Sequence, residues 1–264
     1  MWNTFRLYWK LIGISIRSQM QHRASFLMLT VAYFLSTLVD ILGIWVLFDR
    51  FKMVQGWTLE EVGLIYGVMH MGFAIAEASA RGFDTFSETV KHGDFDRLLL
   101  RPIGTLFQVA TSEVQWIRMG RFIQGLLVLL WSCQQLGIHF FSLTSGILAF
   151  AVVGTASLFY GLMVVQGALS FWTVETLELM NITTFGGLES GQYPMSIYRP
   201  SFRMFFTFVV PLACVAYYPV AVALHHEAFP LWAALVFPVT GLVFLYAACQ
   251  FWHLGVRRYH STGS

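Results

Sequence analysis

The residues of this sequence that could do chemistry are the few charged side chains within or beside its long apolar runs. Asp40 lies inside one run, Glu77 and Arg81 lie four positions apart in another, and Arg118 and Arg121 lie near the start of a third. Charge in hydrocarbon is costly, so such residues mark an ion pair, a proton relay or a substrate pathway. The helical spacing of Glu77 and Arg81 predicts a local ion pair.

A proton relay is the alternative use of these charges, and it would make the chain a proton- or ion-coupled secondary transporter or channel. Such a protein needs ionisable groups deep in the membrane and typically carries internal repeats. The arginines lie near the ends of their apolar runs, where long side chains can reach the polar headgroups. Only Asp40 lies deep. This interpretation is therefore the second choice.

Motifs for catalysis are missing from the sequence. ATP hydrolysis needs a glycine-rich loop that ends in Gly-Lys-Ser/Thr, yet Lys10, Lys52 and Lys91 follow tryptophan, phenylalanine and valine. The histidines are scattered without the spacing of a metal site, and no Gly-x-Ser-x-Gly elbow occurs. We therefore expect no enzyme activity, no metal site and no cofactor in this chain alone.

The composition indicates a protein that lives in lipid. Of 264 residues, 57% are hydrophobic and only 11% are charged, against about 25% charged in ordinary soluble domains. The net charge of +2 is small and spread along the chain, which gives no reason to expect a nucleic-acid partner. These values predict an all-α polytopic membrane protein with lipid as its main neighbour.

Five runs are apolar and long enough to cross a membrane as helices, which takes about 20 residues. They cover 24–48, 62–80, 116–136, 143–172 and 231–252. The region between the last two runs is harder to interpret. Residues 171–190 are moderately apolar but contain two glutamates, and residues 202–224 are more apolar but contain Pro211 and Pro219. One or both of these stretches spans.

The basic residues predict the orientation, because short cytoplasmic loops carry an excess of lysine and arginine. If the first run starts on the cytoplasmic side, ten lysines and arginines lie on that side. Arg50 and Lys52 then lie on the opposite side, where acidic neighbours balance them. Both termini are then cytoplasmic and the number of spans is even, with six the best count. The ten are Arg6, Lys10, Arg17, Arg23, Arg81, Lys91, Arg97, Arg101, Arg257 and Arg258.

Residues 1–23 are expected to form a helix in the membrane surface. Polar and basic residues recur there at three- and four-residue steps, and large apolar residues fill the other faces. Such a helix lies in the interface while its lysine and arginine side chains reach the headgroups. A soluble helix packed on a partner is the alternative.

The segment 81–102 is the most informative stretch, because it carries both signs of charge and a leucine triplet on the predicted cytoplasmic side. Its sequence is RGFDTFSETVKHGDFDRLLLRP. It predicts a short helix that ends at Gly93 and a second helix from Asp94 to Pro102, with acidic residues at the start and arginines towards the end. Nothing of its own chain obviously covers Leu98, Leu99 and Leu100, so a groove in a partner would suit them.

Two blocks of sequence resemble the membrane subunits of ATP-binding-cassette exporters of the type-2 class, within a branch of bacterial permeases. The first is GDFDRLLLRP at 93–102. The second runs from Tyr193-Pro194 through Ile197-Tyr198 to Pro211 and Tyr217-Tyr218-Pro219. The order of surface helix, spans and loops is also similar over nearly the whole chain.

This resemblance implies a half-transporter, with 1–264 as a single permease domain in the bacterial inner membrane. It would pair with a second permease, either an identical copy or a paralogue. Separate ATPase subunits would bind ATP and Mg, and 81–102 would be the coupling segment that docks on them. The residues implied in this coupling are Phe86, Glu88, Asp94, Asp96, Arg97, Leu98, Leu99 and Arg101.

The resemblance also bears on the region that hydropathy leaves open. In this class an external re-entrant hairpin follows the fifth span, which would assign 171–190 to that span and 193–224 to the hairpin. Hydropathy instead favours a spanning 202–224 after a cytoplasmic 175–198, and Arg199 and Arg203 would then lie inside. We favour the re-entrant assignment, and both give an even number of spans.

The residues that face the cargo are harder to predict. Large apolar side chains and one deep carboxylate are candidates for a translocation surface, although aromatic and methionine residues at helical spacing usually pack in a core or face lipid. The candidates are Asp40, Met163, Phe171, Trp172, Phe205 and Phe206. Such a surface suits a lipid, a hydrophobic drug or a glycolipid, and the sequence does not choose among them.

Overall fold

The computed structural model describes residue 13, residues 23–173 and residues 177–259. Within them every extended regular element is a helix. Of the predicted surface helix over 1–23, all but Gly13 and Arg23 lie outside the described residues.

Thirteen helices occur in the described part of the chain, several of them very short. In chain order they are α1 Arg23–Phe51, α2 Leu59–Ser79, α3 Arg81–Asp84, α4 Phe86–Lys91, α5 Phe95–Leu99, α6 Thr105–Ser112, α7 Met119–Gln135, α8 Leu143–Leu169, α9 Leu177–Gly191, α10 Pro200–Met204, α11 Tyr218–Ala223, α12 Ala233–Val236 and α13 Val239–Arg258. Turns of 3₁₀ helix lie at Trp116–Arg118 and Met195–Ile197. Turns of π helix at Phe205–Val209 and Ala213–Tyr217 extend α10 and precede α11.

Four helical segments are long and apolar enough to cross a membrane: Ala24–Phe51, Leu59–Ser79, Leu143–Leu169 and Ala233–Arg258. They confirm the predicted runs 24–48, 62–80, 143–172 and 231–252. The predicted run 116–136 forms α7, which has 17 residues and is about 25 Å long, slightly less than the hydrocarbon thickness of about 30 Å. A count of six spans therefore stays a prediction.

The centre of the bundle is α2, which is covered on nearly all sides. Its most apolar stretch is 89% buried, whereas the corresponding stretch of α1 is 17% buried and that of the last segment 22%. A helix that is apolar all round belongs in an interior or in lipid. The low burial of α1 and α13 leaves their apolar surfaces for lipid or for another membrane protein.

Close approach between α8 and α13 depends on glycine. A Cβ atom on Gly241 would lie 2.1 Å from the carbonyl oxygen of Gly154, a distance that no side chain can occupy. Glycine pairs of this kind bring helix backbones together and replace the hydrophobic drive that lipid does not provide.

The two ends of the bundle can be named by the tryptophans at them. The Trp57 end is the one where α2 begins, and there the Trp57 ring stacks on His226 at 4.2 Å between ring centroids. The Trp252 end is the one where α2 ends and the segment 81–102 packs, with the rings of Phe83 and Trp252 5.3 Å apart.

The stretch 200–223 is sharply bent near its middle. Its two halves, Pro200–Val209 and Ala213–Ala223, are bent by 84° at a short break. Near its two ends, Arg203 Nη2 lies 2.9 Å from Glu227 Oε1, and the Tyr217 hydroxyl donates to the same carboxylate. A straight helix would separate positions 203 and 227 by about 36 Å. The bend therefore brings Arg203 beside Glu227, which follows the stretch, and the name hairpin 200–223 refers to this bent geometry alone.

The close contact at Gly241 gives a test of the packing. We expect Gly241→Ala to lower the thermal stability of the purified protein, because overpacking a close helix contact costs about 1–3 kcal/mol. The control is Gly146→Ala in α8, where an added Cβ meets nothing within 4 Å. The measurement is the melting temperature of both variants in the same detergent, and equal melting temperatures would contradict the close contact.

Candidate functional site

The segment 81–102 folds as three short helices at the Trp252 end. The first part of the predicted arrangement is confirmed: α4 ends at Lys91 and α5 begins after Asp94. Between them Gly93 has a φ of +72°, a left-handed conformation that glycine adopts without steric cost. The second helix is shorter than predicted, because α5 ends at Leu99 and not at Pro102.

The segment has an inner and an outer face. Phe86 is 1% exposed and Phe95 is fully buried, whereas Leu99 is 46% and Leu100 86% exposed. The charged side chains Glu88, Asp94, Arg97 and Arg101 are at the surface or partly exposed, and Asp96 is half-buried. Leu99 and Leu100 are adjacent, so they place a small apolar patch among these charges.

Two of the residues implied in coupling lie on the inner face. Phe86 packs among the aromatic residues of the core and has almost no exposed surface for a partner. Leu98 is partly buried against the same core, which corrects the expectation that the chain itself covers none of the leucine triplet. The turn of α5 explains this, because Leu98 lies three positions after Phe95 and so on nearly the same side of the helix.

Charges on the outer face make exposed pairs within their own stretch of chain. Lys91 Nζ lies 2.7 Å from Glu88 Oε1, and Arg97 Nη1 lies 3.4 Å from Asp94 Oδ1. The hydrogen bond and charge of Lys91 lower the pKa of Glu88. Exposed pairs contribute about 0–1 kcal/mol to stability, so these charges can exchange partners at little cost.

A cavity of about 310 Å³ opens between this segment and α6. It is lined by Gly82, Phe86, Thr89, Asp94, Arg97, Leu98, Arg101, Val109 and Ser112. Because an acid and two arginines line it together with apolar atoms, the cavity suits an inserted side chain of mixed polarity.

A buried ion cluster joins this end of the bundle to the segment. Glu77 has no exposed side-chain surface, and its two carboxylate oxygens each lie 2.9 Å from an arginine, Oε1 from Arg118 and Oε2 from Arg121. The predicted pair of Glu77 with Arg81 is wrong. The reason is that α2 ends at Ser79 and the backbone changes direction at Ala80, with φ −115° and ψ 12°, so Arg81 leaves the helix face of Glu77 and pairs with Asp84.

Aromatic rings extend the ion cluster to a third helix. The guanidinium of Arg118 lies 4.4 Å from the centre of the Tyr33 ring in α1, and that of Arg121 lies 5.0 Å from the Phe73 ring in α2. Cations over aromatic faces are attracted by the ring electrons. The cluster therefore fastens α1, α2 and the start of α7 together.

A separate ion pair lies just beyond α2. Burial raises the pKa of Asp84, and the positive charge of the adjacent Arg81 opposes that rise.

The six candidates for a translocation surface do not converge on one place in the described chain. Phe171 and Trp172 come just after α8 at the Trp252 end, where Phe171 packs on Trp252 and Trp172 stacks on Phe251. Phe205 and Phe206 belong to hairpin 200–223.

The other two candidates differ in their surroundings. Asp40 is half-buried on α1, and Met163 is buried within α8. Of the four aromatic candidates, Trp172 and Phe205 are exposed, whereas Phe206 packs in the core as Met163 does. The six candidates are thus dispersed and differ in exposure, and the translocation surface stays a prediction.

A polar line within the bundle was missed by the sequence reasoning. His70 is 1% exposed, and its Nε2 lies 3.0 Å from the Gln192 side-chain oxygen. Gln192 donates to Glu189, and Tyr66 stacks on His70 at 3.9 Å. The one signal in the sequence was a histidine one helical turn after a tyrosine within an apolar run, and nothing local points to Gln192.

Metal ligation finds no support in the part of the chain that the structure describes, since no group of three or more His, Cys, Asp and Glu residues could hold an ion there.

Comparison with known proteins identifies a family. A family model described as "ABC-2 family transporter protein" matches residues 34–263, which is nearly the whole chain. No curated protein and no solved structure matches it.

The ion cluster gives a stability prediction. We expect Glu77→Gln to lower the free energy of unfolding by about 3–5 kcal/mol, because removing one partner leaves two buried arginines without their anion. The control is Glu88→Gln, an exposed residue of the same charge, with an expected effect within about 0.5 kcal/mol. Denaturant titration in detergent measures both, and a Glu77→Gln variant as stable as the control would contradict the cluster's role.

Proposed function

The chain belongs to the ABC-2 family of transporter proteins, and from that premise we propose that it is the non-catalytic permease subunit of an ATP-driven exporter. In this proposal separate ABC ATPase subunits bind ATP and Mg, and a second permease, an identical copy or a paralogue, completes the translocation path. The substrate passes between the two permeases.

The observation that carries the proposal is the two-faced segment 81–102. Its inner face is packed into the core by Phe86 and Phe95, so the segment is a rigid part of the permease. Its outer face presents Leu99 and Leu100 among charges of both signs. An apolar centre with a charged rim is the usual composition of a protein interface. This segment is the coupling segment in our proposal.

Positive charge supports an orientation with the Trp252 end in the cytoplasm. The coupling segment carries Arg81, Lys91, Arg97 and Arg101, and α13 ends in arginines at the same end. At the Trp57 end the acidic first turn of α2 offsets the basic residues of the preceding connection. By the excess of cytoplasmic lysine and arginine, we propose that both termini lie inside the cell.

Hairpin 200–223 then enters the membrane from outside and returns to the same side. Val215 accepts a hydrogen bond from Thr155, which lies in the middle of α8, whereas Val222 packs on Ile147 near the start of that helix. The second limb therefore runs from the middle of the bundle to the Trp57 end. In this orientation Arg199 and Arg203 lie outside, against the charge rule, and Arg203 is paired there with Glu227.

The mechanism in this proposal is a two-state switch. ATP closes the ATPase pair, and the closed pair binds the coupling segments better in one arrangement of the helices than in the other, which shifts the population between inward-open and outward-open forms. In this proposal the chain contributes the rigid segment 81–102, which the ATPase displaces, and a helix bundle that moves with that segment.

A proton-coupled secondary transporter is the second candidate, and the polar line Glu189, Gln192 and His70 favours it. Such a protein would move cargo without an ATPase. The position of Glu77 counts against it, because its two carboxylate oxygens lie beside arginines at the Trp252 end and not along this polar line.

The coupling surface gives a binding prediction. We expect Leu100→Asp to weaken copurification of the proposed partner ABC ATPase about tenfold or more, because a buried leucine contributes about 1.5–3 kcal/mol to an interface. The matched control is Phe141→Asp, which changes a 98% exposed apolar residue in the connection between α7 and α8, at the opposite end of the bundle. Loss of binding in both variants, or in neither, would contradict a docking surface at 81–102.

The hairpin gives a topology prediction. In a chain whose native cysteines are replaced, we expect Ser201→Cys and Ala228→Cys to react with an impermeant maleimide in intact cells, because both positions lie at the surface near the Trp57 end. His92→Cys, in the coupling segment, should react only after permeabilisation. Labelling of Ser201→Cys only after permeabilisation would mean that 200–223 crosses the membrane.

A further inference from the structure

Displacement of the coupling segment needs a route into the bundle, and the structure offers two. One is the covalent connection to α2 through Ala80. The other is an aromatic cluster of Phe86, Phe95, Phe171, Trp252 and Tyr259, which Phe83 of α3 joins through Trp252. We propose that the aromatic cluster is the route, and that Phe95 and Phe86 are the positioning residues that pass the movement to the ends of α8 and α13. This inference rests on the proposed function.

The cluster joins the coupling segment directly to the residues at the ends of α8 and α13. The Phe95 ring lies 5.1 Å from Phe171 and 4.8 Å from Tyr259, and the Phe86 ring lies 5.2 Å from Phe171 and 4.8 Å from Trp252. Most of these pairs are edge-to-face, an arrangement that rings prefer and that fixes their mutual orientation.

Close packing makes the cluster a stiff connection. Phe95 and Trp252 have no exposed surface. A Cβ on Gly255 of α13 would lie 2.4 Å from a ring carbon of Phe171, so the ring lies directly on the helix backbone. Interiors packed at this density are nearly incompressible and transmit strain. A push on α5 therefore moves Phe171 and α13 with it.

The helix α6 supports the same connection from the side. The Trp252 ring nitrogen donates to the Thr105 hydroxyl at 3.2 Å. The Gln108 side-chain amide donates to the carbonyls of Leu98 and Ile103, at 2.9 and 2.7 Å. The end of α5, the start of α6 and the α13 side chain Trp252 are thus tied by three hydrogen bonds.

The covalent route is the weaker one. The backbone changes direction at Ala80, so α2 and α3 are not one rigid helix. Near its end α2 is fastened by Glu77 to Arg118 and Arg121. The two most extensive helix contacts pair α2 with α7 and α8 with α13. The ion cluster holds the first pair, and the aromatic cluster acts on the second. Although α2 also packs on α8, we expect the second pair to move relative to the first.

The test measures that relative movement in the complex of the full chain with its ATPase. Spin labels are placed at the exposed positions Leu254 in α13 and Ile123 in α7, in a chain whose native cysteines are replaced. The distance between the labels is measured by pulsed electron resonance without nucleotide and with ATP plus vanadate. We expect the distance to change in the parent chain, and the change to fall below half in Phe95→Ala with the amount of bound ATPase unaltered.

Two further variants separate transmission from folding. Phe95→Leu keeps an apolar side chain in the cluster, so it should restore most of the distance change. Phe48→Ala removes a similarly buried ring near the Trp57 end, so it should lower stability as Phe95→Ala does and leave the distance change intact.

Each outcome assigns failure to one statement. A parent chain that binds no ATPase overturns the proposed function. A parent chain that binds ATPase but shows no distance change, or a Phe95→Ala variant that moves as the parent does, overturns the aromatic route alone. Equal loss in Phe95→Ala and Phe48→Ala also overturns it, because general destabilisation would then explain the result.

Discussion

Charge removed from water has to be paired, and in this protein that constraint acts most strongly on Glu77. Its carboxylate has no exposed surface, and both oxygens are held by arginines that come from the start of α7 and the turn before it. An unpaired charge at this position would cost several kcal/mol. The arrangement of α1, α2 and α7 at the Trp252 end therefore depends on this cluster, and the coupling segment begins one turn beyond it.

The coupling segment divides its work between its two faces. Burial of a phenylalanine contributes about 1.5–3 kcal/mol, so Phe86 and Phe95 hold the segment far more strongly than its exposed ion pairs do. Those pairs and the leucines Leu99 and Leu100 contribute little to folding, which leaves them for a partner. A segment with a tightly packed inner face and an outer face that can bind a partner suits a subunit that another protein moves. The family to which the chain belongs is in accord with the division of labour that we propose.

Prediction from the sequence succeeded where local pattern decides the structure. Apolar runs predicted four of the long helices, and Gly93 marked the turn in the coupling segment, because length, hydropathy and glycine act within a few residues of themselves. The partner of Glu77 was predicted wrongly because helical spacing assumed that α2 continued past Ser79. The inner position of Leu98 and the line from His70 to Gln192 could not be predicted, since each depends on contacts between distant parts of the chain. The bend in hairpin 200–223 was partly predictable. Its prolines are a local feature of the sequence, whereas the ion pair between Arg203 and Glu227 joins residues far apart along the chain.

The central claim is that the outer face of 81–102 is where a separate ATPase acts on this permease. The most direct measurement is photocrosslinking in native membranes from a benzophenone amino acid placed at Leu100, with mass spectrometry of the product. We expect a crosslink to an ABC ATPase subunit that is absent when the probe is placed at Phe141. Crosslinks from position 100 only to lipid, or only to other residues of this chain, would contradict it.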